Sequence, residues 1–145
     1  MIDLDNQSTL IVDSKKLETI AHALSDKEVE LIITDDTTIQ ALNETHRSKD
    51  ATTDVLSFPL EIMSGEIPLV GMPLGSIVIA ESFVRQKALE LGHTPQEELS
   101  LLFIHGMLHL LGYDHENDKG EMREKEKALI EHFGLPQSLI IRTEE

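Results

Sequence analysis

Short apolar runs and helically spaced apolar residues alternate along the first 80 residues of the chain. Apolar runs bounded by polar residues predict four strands, at residues 9–12, 29–33, 55–60 and 76–80. Apolar residues three and four positions apart predict a helix over residues 14–24. A second helix is predicted to begin at Asp35 or Asp36 and to carry Ile39 and Leu42 on its inner face.

The rest of the chain has mainly helical periodicity. Three helices are predicted, over residues 82–91, 94–112 and 119–133. Gly92, Gly112 and Gly134 stand where these helices should end, and Thr94 followed by Pro95 is typical of a helix start. No repeat, low-complexity tract or linker is found, so residues 1–145 are predicted to form a single domain. The expected fold class is α+β, with a small four-stranded mixed sheet packed with about five helices.

Charge and composition narrow the choice of partners. The net charge is −15: residues 1–45 carry −7, residues 61–145 carry −8, and residues 46–60, which hold Arg47 and Lys49, are electroneutral. The polar part of this stretch, 47–54, is predicted to be turn-like. An acidic surface opposes non-specific wrapping by nucleic acid, and no DNA partner is expected. The absence of cysteine excludes disulfides and thiolate metal sites. Neither a signal-peptide pattern nor an apolar run of the ~18 residues that span a membrane is found, so we expect a cytoplasmic protein with no membrane partner.

Three histidines in one short segment carry the clearest chemical signal. His105 and His109 are four residues apart on a predicted helix, so both imidazoles can point to the same place. Gly112 can end the helix, and His115 then arrives from the following loop. A histidine pair alone is more often structural, but three nitrogen ligands leave one coordination position open, as in catalytic zinc sites. The segment predicts one zinc ion per chain. The other histidines are isolated and predicted to lie on the surface: His22, His46, His93 and His132.

The same segment matches the HExxHxxGxxH pattern of metzincin proteases at every position but one. The protease pattern has a Glu general base where this chain has Gly106. Peptide hydrolysis by that mechanism is therefore disfavoured, and a metzincin-like protease remains an alternative only. We interpret the glycine as leaving room beside the metal for something bulky, such as substrate.

Two blocks of sequence resemble the YbeY family of bacterial metallo-endoribonucleases, also described as ribosomal RNA maturation factors. One block is residues 105–115, which follow the pattern HGxLHLxGYDH, and the other is Arg47 followed by TDVLSFP at residues 53–59. The resemblance implies a zinc-dependent, single-strand-specific endoribonuclease. Such an enzyme would trim the 3′ end of small-subunit ribosomal RNA and take part in ribosome quality control.

The resemblance also implies roles for particular residues. It makes His105, His109 and His115 the metal ligands and gives Arg47 a part in catalysis, since a guanidinium can bind two phosphate oxygens at once. The implied partners are single-stranded ribosomal RNA and the small ribosomal subunit. Ser76 departs from the family, which commonly has Asp there. A ribosome assembly factor with a structural metal is a further alternative.

Overall fold

The computed structural model describes residues 2–47, 55–59, 73–113 and 119–135. Over these ranges the chain forms four strands and five helices, as the periodicity predicts. In chain order they are β1 (Ile2–Asn6), α1 (Ser14–Leu24), β2 (Val29–Thr34), α2 (Asp36–Arg47), β3 (Val55–Pro59), β4 (Gly75–Ala80), α3 (Glu81–Leu91), α4 (Pro95–Leu110) and α5 (Glu121–His132). The expected α+β class is confirmed.

The four strands form one mixed sheet in the order β1-β2-β4-β3. β1, β2 and β4 run parallel, whereas β3 is an antiparallel edge strand beside β4. The register aligns Leu31 of β2 with Ile77 of β4, and Ile77 with Ser57 of β3. Ile77 therefore lies on a central strand, with a hydrogen-bonded neighbour on both sides.

Each face of the sheet packs against a different set of helices. On one face, Leu31 and Ile77 belong to the main core together with residues of α1 and α4. On the other face, Ile39 of α2 packs with Leu56 and Val78. α4 is buried along most of its length because it contacts β3, β4, α1, α3 and α5. In the ranges that the structure describes, no helix is long and apolar enough to cross a membrane.

The predicted strand at residues 9–12 is wrong, and β1 lies earlier in the chain. In β1, Ile2 and Leu4 pack against the main core, while Asp3 and Asp5 alternate with them. Residues 9–12 form no strand, and Ile11 is 93% exposed. The apolar run there is short, and side-chain hydrogen bonds turn the backbone after β1, including one from the Ser8 amide to Asn6 Oδ1 at 3.0 Å.

The predicted helix boundaries hold at α4. The Thr94 side chain accepts from the Glu97 amide at 3.1 Å, and the Thr94 amide donates to the Glu97 carboxylate at 2.8 Å. This capping box satisfies two backbone donors that the first turn would otherwise leave without partners. Gly112, with φ 99°, turns the chain after the helix as expected. One boundary differs: Arg47 is the last residue of α2, so the segment expected to be a turn begins inside a helix.

Candidate metal centre

His105 and His109 lie one turn apart near the end of α4, and their rings converge. The two Nε2 atoms are 3.0 Å apart, with ring centroids separated by 4.6 Å and ring planes at 80°. Two nitrogens of a tetrahedral zinc site, each about 2.0–2.1 Å from the metal, lie about 3.3 Å apart. The two nitrogens are therefore spaced nearly as two ligands of one ion would be.

The other nitrogen of each ring faces an oxygen that can accept a hydrogen bond. His109 Nδ1 lies 3.0 Å from the carbonyl oxygen of Tyr113, and His105 Nδ1 lies 2.6 Å from Oε1 of Glu126. A carbonyl oxygen can accept a hydrogen bond but cannot donate one, and the same holds for an ionised carboxylate. Nδ1 therefore carries the proton in each ring, and in a neutral imidazole Nε2 then presents a lone pair.

The turn at Gly112 brings the Tyr113 carbonyl to His109. After α4 the Tyr113 amide donates back to the carbonyl oxygen of Leu108 at 3.0 Å. This bond folds the chain over the end of the helix and holds the carbonyl oxygen of Tyr113 beside the ring of His109. The local sequence that ends the helix thus also orients a candidate ligand.

Glu126 is the residue of this centre that sequence analysis missed. It lies on α5, and its side chain is 4% exposed. The available signal was its position: Met122, Leu129 and Ile130 form the buried face of α5, and Glu126 interrupts that face with a charge. The partner on α4 is 21 residues away, however, and the contact depends on how the two helices pack.

The surroundings of the pair favour a cation. Both rings lie in the last two turns of α4, where the helix dipole presents its negative end. The buried carboxylate of Glu126 adds negative charge beside His105. The His105 side chain is 28% exposed, so the centre is open to solvent on one side.

Gly106 does not leave room for substrate, which corrects the interpretation made from sequence. A Cβ atom at this position would lie 2.8 Å from Cγ2 of Ile77, so the glycine lets α4 pack closely on β4. Its carbonyl oxygen also accepts a hydrogen bond of 3.3 Å from Ser57 Oγ. Since Ser57 belongs to the TDVLSFP block, the two characteristic sequence blocks are in direct contact.

Two predicted site residues are not fully covered by the structure. His115 lies in 114–118, outside the described residues, and of Arg47 only the backbone is described, at the end of α2. Within the described ranges no group of three or more His, Cys, Asp or Glu side chains could hold a metal ion. The assignment of three histidine ligands and of Arg47 therefore stays a prediction.

Ser76 lies on β4, beside an acidic cleft. Its hydroxyl donates to Glu30 at 2.8 Å. The cleft has a volume of about 450 Å³ and is lined by Asp3, Glu28, Glu30, Phe58, Pro59, Pro73, Gly75 and Ser76. Among these described lining residues, the three carboxyl groups repel phosphate and therefore disfavour RNA.

The remaining histidines divide into exposed and buried ones. His22 and His132 are exposed, as predicted. The surface position predicted for His93 is wrong. Its side chain is 1% exposed, and its Nε2 lies 2.9 Å from Oε1 of the buried Glu98. The chain turns back at Gly92, where the His93 amide donates to the Ala88 carbonyl, and this turn directs the ring under α4. For His46 the structure describes only the backbone, so its predicted surface position stays a prediction.

Comparison with known proteins identifies the family. Residues 3–134 match the family model described as Endoribonuclease YbeY. A protein of that name from Sulfurovum sp. is 60% identical over 99% of this chain and 98% of its own length. Its namesake from Nautilia profundicola is 53% identical over the full length of both chains. The solution structure of a Thermotoga maritima protein superposes with a TM-score of 0.58, at 32% identity over 92% of this chain and 89% of that one.

The fold and these matches define a small α+β hydrolase that acts on RNA. The chain belongs to the YbeY family of endoribonucleases, as the two sequence blocks indicated.

Proposed function

We propose that this endoribonuclease depends on one zinc ion held by His105, His109 and His115. The observation that supports it is the arrangement of the first two rings, whose Nε2 atoms face each other at 3.0 Å while both Nδ1 atoms face oxygen acceptors. Two lone pairs at this distance repel each other unless a cation or a proton lies between them. A metal ion satisfies both nitrogens at once, because each uses its lone pair as a ligand.

Zinc fits the donor set and its surroundings. Neutral imidazole nitrogens are good zinc ligands, and three protein ligands with one open position are usual in catalytic zinc sites. His115 follows Tyr113 by two residues, and the Tyr113 carbonyl already lies beside His109. When bound, a zinc ion supplies the Lewis acidity that activates water as a nucleophile near neutral pH.

Arg47 is proposed to bind the phosphate that is cleaved. Cleavage of a phosphodiester increases the negative charge on its non-bridging oxygens, and the planar guanidinium can donate to two of them at once. Arg47 lies in an electroneutral stretch, residues 46–60, between two acidic parts of the chain, where phosphate meets less repulsion.

The proposed substrate is single-stranded ribosomal RNA near the 3′ end of the small subunit, cut in the cytoplasm during ribosome maturation and quality control. Family membership supports an RNA substrate, and the resemblance of the two sequence blocks supports this particular one. The net charge of −15 is also relevant, because it penalises long contacts with a phosphate backbone. A short strand presented by a ribosomal particle needs only a few phosphate contacts at the catalytic centre.

A cleavage assay on single-stranded RNA tests this proposal. Cleavage should stop with a chelator and return when zinc is added. His109→Ala should be inactive with or without zinc, whereas His22→Ala, which removes an exposed histidine, should match the wild-type protein. Cleavage by His109→Ala at the wild-type rate would overturn the metal assignment. If that variant is inactive but still binds small ribosomal subunits, ribosome binding and catalysis are separate properties of the protein.

A further inference from the structure

We propose that Glu126 is a positioning residue: it holds His105 with Nε2 directed at the metal and strengthens metal binding through its charge. This inference rests on the proposed zinc site. It assigns a role to a residue of α5, an element that carries none of the predicted ligands.

The burial of Glu126 argues against a purely structural role. Its neighbours on the buried face of α5 are Met122, Leu129 and Ile130, which pack into apolar clusters. An apolar residue at position 126 would continue that face and stabilise the packing of α5 on α4. Removing a carboxylate from water is costly, so its presence there indicates an electrostatic task.

The contact with His105 shows what that task is. Oε1 of Glu126 accepts the Nδ1 hydrogen of His105 over 2.6 Å, slightly shorter than the about 2.7–2.9 Å usual for charge-assisted N–H···O bonds. Because Nδ1 is committed to this bond, the ring presents Nε2 toward His109, and its rotation about χ2 is restricted. A carboxylate on the far nitrogen also makes the ligating nitrogen more basic, which favours a metal cation.

The positive charge of the metal in turn should compensate the negative charge of the buried Glu126 carboxylate. A neutral imidazole donates one hydrogen bond to Glu126 and leaves most of the negative charge uncompensated. A divalent ion on the opposite side of the ring is a few ångströms further away and supplies the missing positive charge. Metal binding and burial of Glu126 are therefore coupled, and each should strengthen the other.

The test is the zinc affinity of Glu126→Gln, measured by competition with a chelating dye. Glutamine keeps the shape of the side chain and can still accept from Nδ1, but it removes the charge. We expect the zinc Kd to rise about 10–100-fold, the usual effect of losing such a partner. We also expect zinc to raise the Tm of the variant less than it raises the wild-type Tm.

Glu98→Gln is the matched control. Glu98 is also a buried carboxyl that contacts a histidine ring, at 2.9 Å, but its partner is His93 and it lies two turns before His105 on α4. This control should change the Tm equally with and without zinc and leave the zinc Kd unchanged. An unchanged Kd in Glu126→Gln, or an equal rise in both variants, would overturn the role of Glu126.

A measurement on the wild-type protein keeps the inference testable if a variant does not fold. Nitrogen NMR of the zinc-loaded protein should show His105 protonated at Nδ1 and bound to metal through Nε2. Metal at Nδ1 would overturn the inference. If the wild-type protein binds no zinc through His109, the proposed function itself fails, which is a different result from normal zinc binding that is insensitive to Glu126.

Discussion

Replacing Gly106 with alanine should destabilise the protein, although the same change usually stabilises a helix. Alanine in a helix interior is favoured over glycine by about 1 kcal/mol. Here, however, the new Cβ would lie 2.8, 3.0 and 3.1 Å from Cγ2, Cδ1 and Cγ1 of Ile77. Ile77 is 0% exposed and belongs to the central strand β4, so it has little room to retreat.

The size of the effect follows from two opposed contributions. Overpacking a filled core typically costs about 1–3 kcal/mol, and subtracting the helix preference of about 1 kcal/mol leaves a net loss of roughly 0–2 kcal/mol. Relief of the clash requires α4 to move outward by some tenths of an ångström. That movement would also stretch the 3.3 Å bond from Ser57 to the Gly106 carbonyl, next to His105.

Urea unfolding in the presence of a chelator measures this effect without a contribution from metal. The decisive control is the same substitution in an Ile77→Ala background, which lacks all three contacting atoms. There Gly106→Ala should raise the free energy of unfolding by about 1 kcal/mol relative to Ile77→Ala alone, because only the helix preference remains. If Gly106→Ala instead stabilises the protein equally in both backgrounds, close packing against Ile77 is not the reason for the glycine.

Two further predictions concern Arg47 and Glu81. Arg47→Ala should lower the rate of single-turnover RNA cleavage by about 10²–10³-fold, and Arg47→Lys should retain part of the activity. Normal cleavage by the alanine variant with wild-type metal content would remove Arg47 from the mechanism. The pKa of Glu81 is lowered below its ordinary value of 4.5, chiefly because its carboxylate accepts a hydrogen bond from the Thr9 amide, with further help from the Thr9 hydroxyl and Arg85. The resulting stabilisation is fully present above the unfolded-state pKa and is lost as the pH falls through the lowered folded-state pKa. The free energy of unfolding of the wild-type protein should therefore exceed that of Glu81→Gln most at neutral pH, and the difference should shrink below about pH 4.5. A difference that is constant with pH would contradict this.

Local signals in the sequence were sufficient to place most elements. The helix over 14–24, the capping box at Thr94 and the turn at Gly112 depend on residues close together in the chain, and all three are found where expected. The strand expected at residues 9–12 was wrong because strand formation depends on a partner. The alternating residues of β1 pair with β2, and the later apolar run finds no partner strand among the described residues.

Contacts between distant elements could not be predicted in this way. The convergence of His105 and His109 follows from helical spacing alone. Glu126 and His105 meet only because α5 packs on α4, and Gly106 faces Ile77 only because α4 packs on the sheet. The burial of His93 likewise depends on the turn between α3 and α4, which directs an apparently isolated histidine under a neighbouring helix.

X-ray absorption at the zinc edge, combined with metal analysis of the same samples, tests the proposed metal centre most directly. The wild-type protein should hold one zinc ion per chain, with imidazole nitrogens at about 2.0–2.1 Å from the metal. His105→Ala and His109→Ala should lose most of the zinc, whereas His22→Ala should retain it. Full zinc content in both ligand variants, or a spectrum without imidazole ligands, would contradict the proposal that these histidines form the catalytic centre.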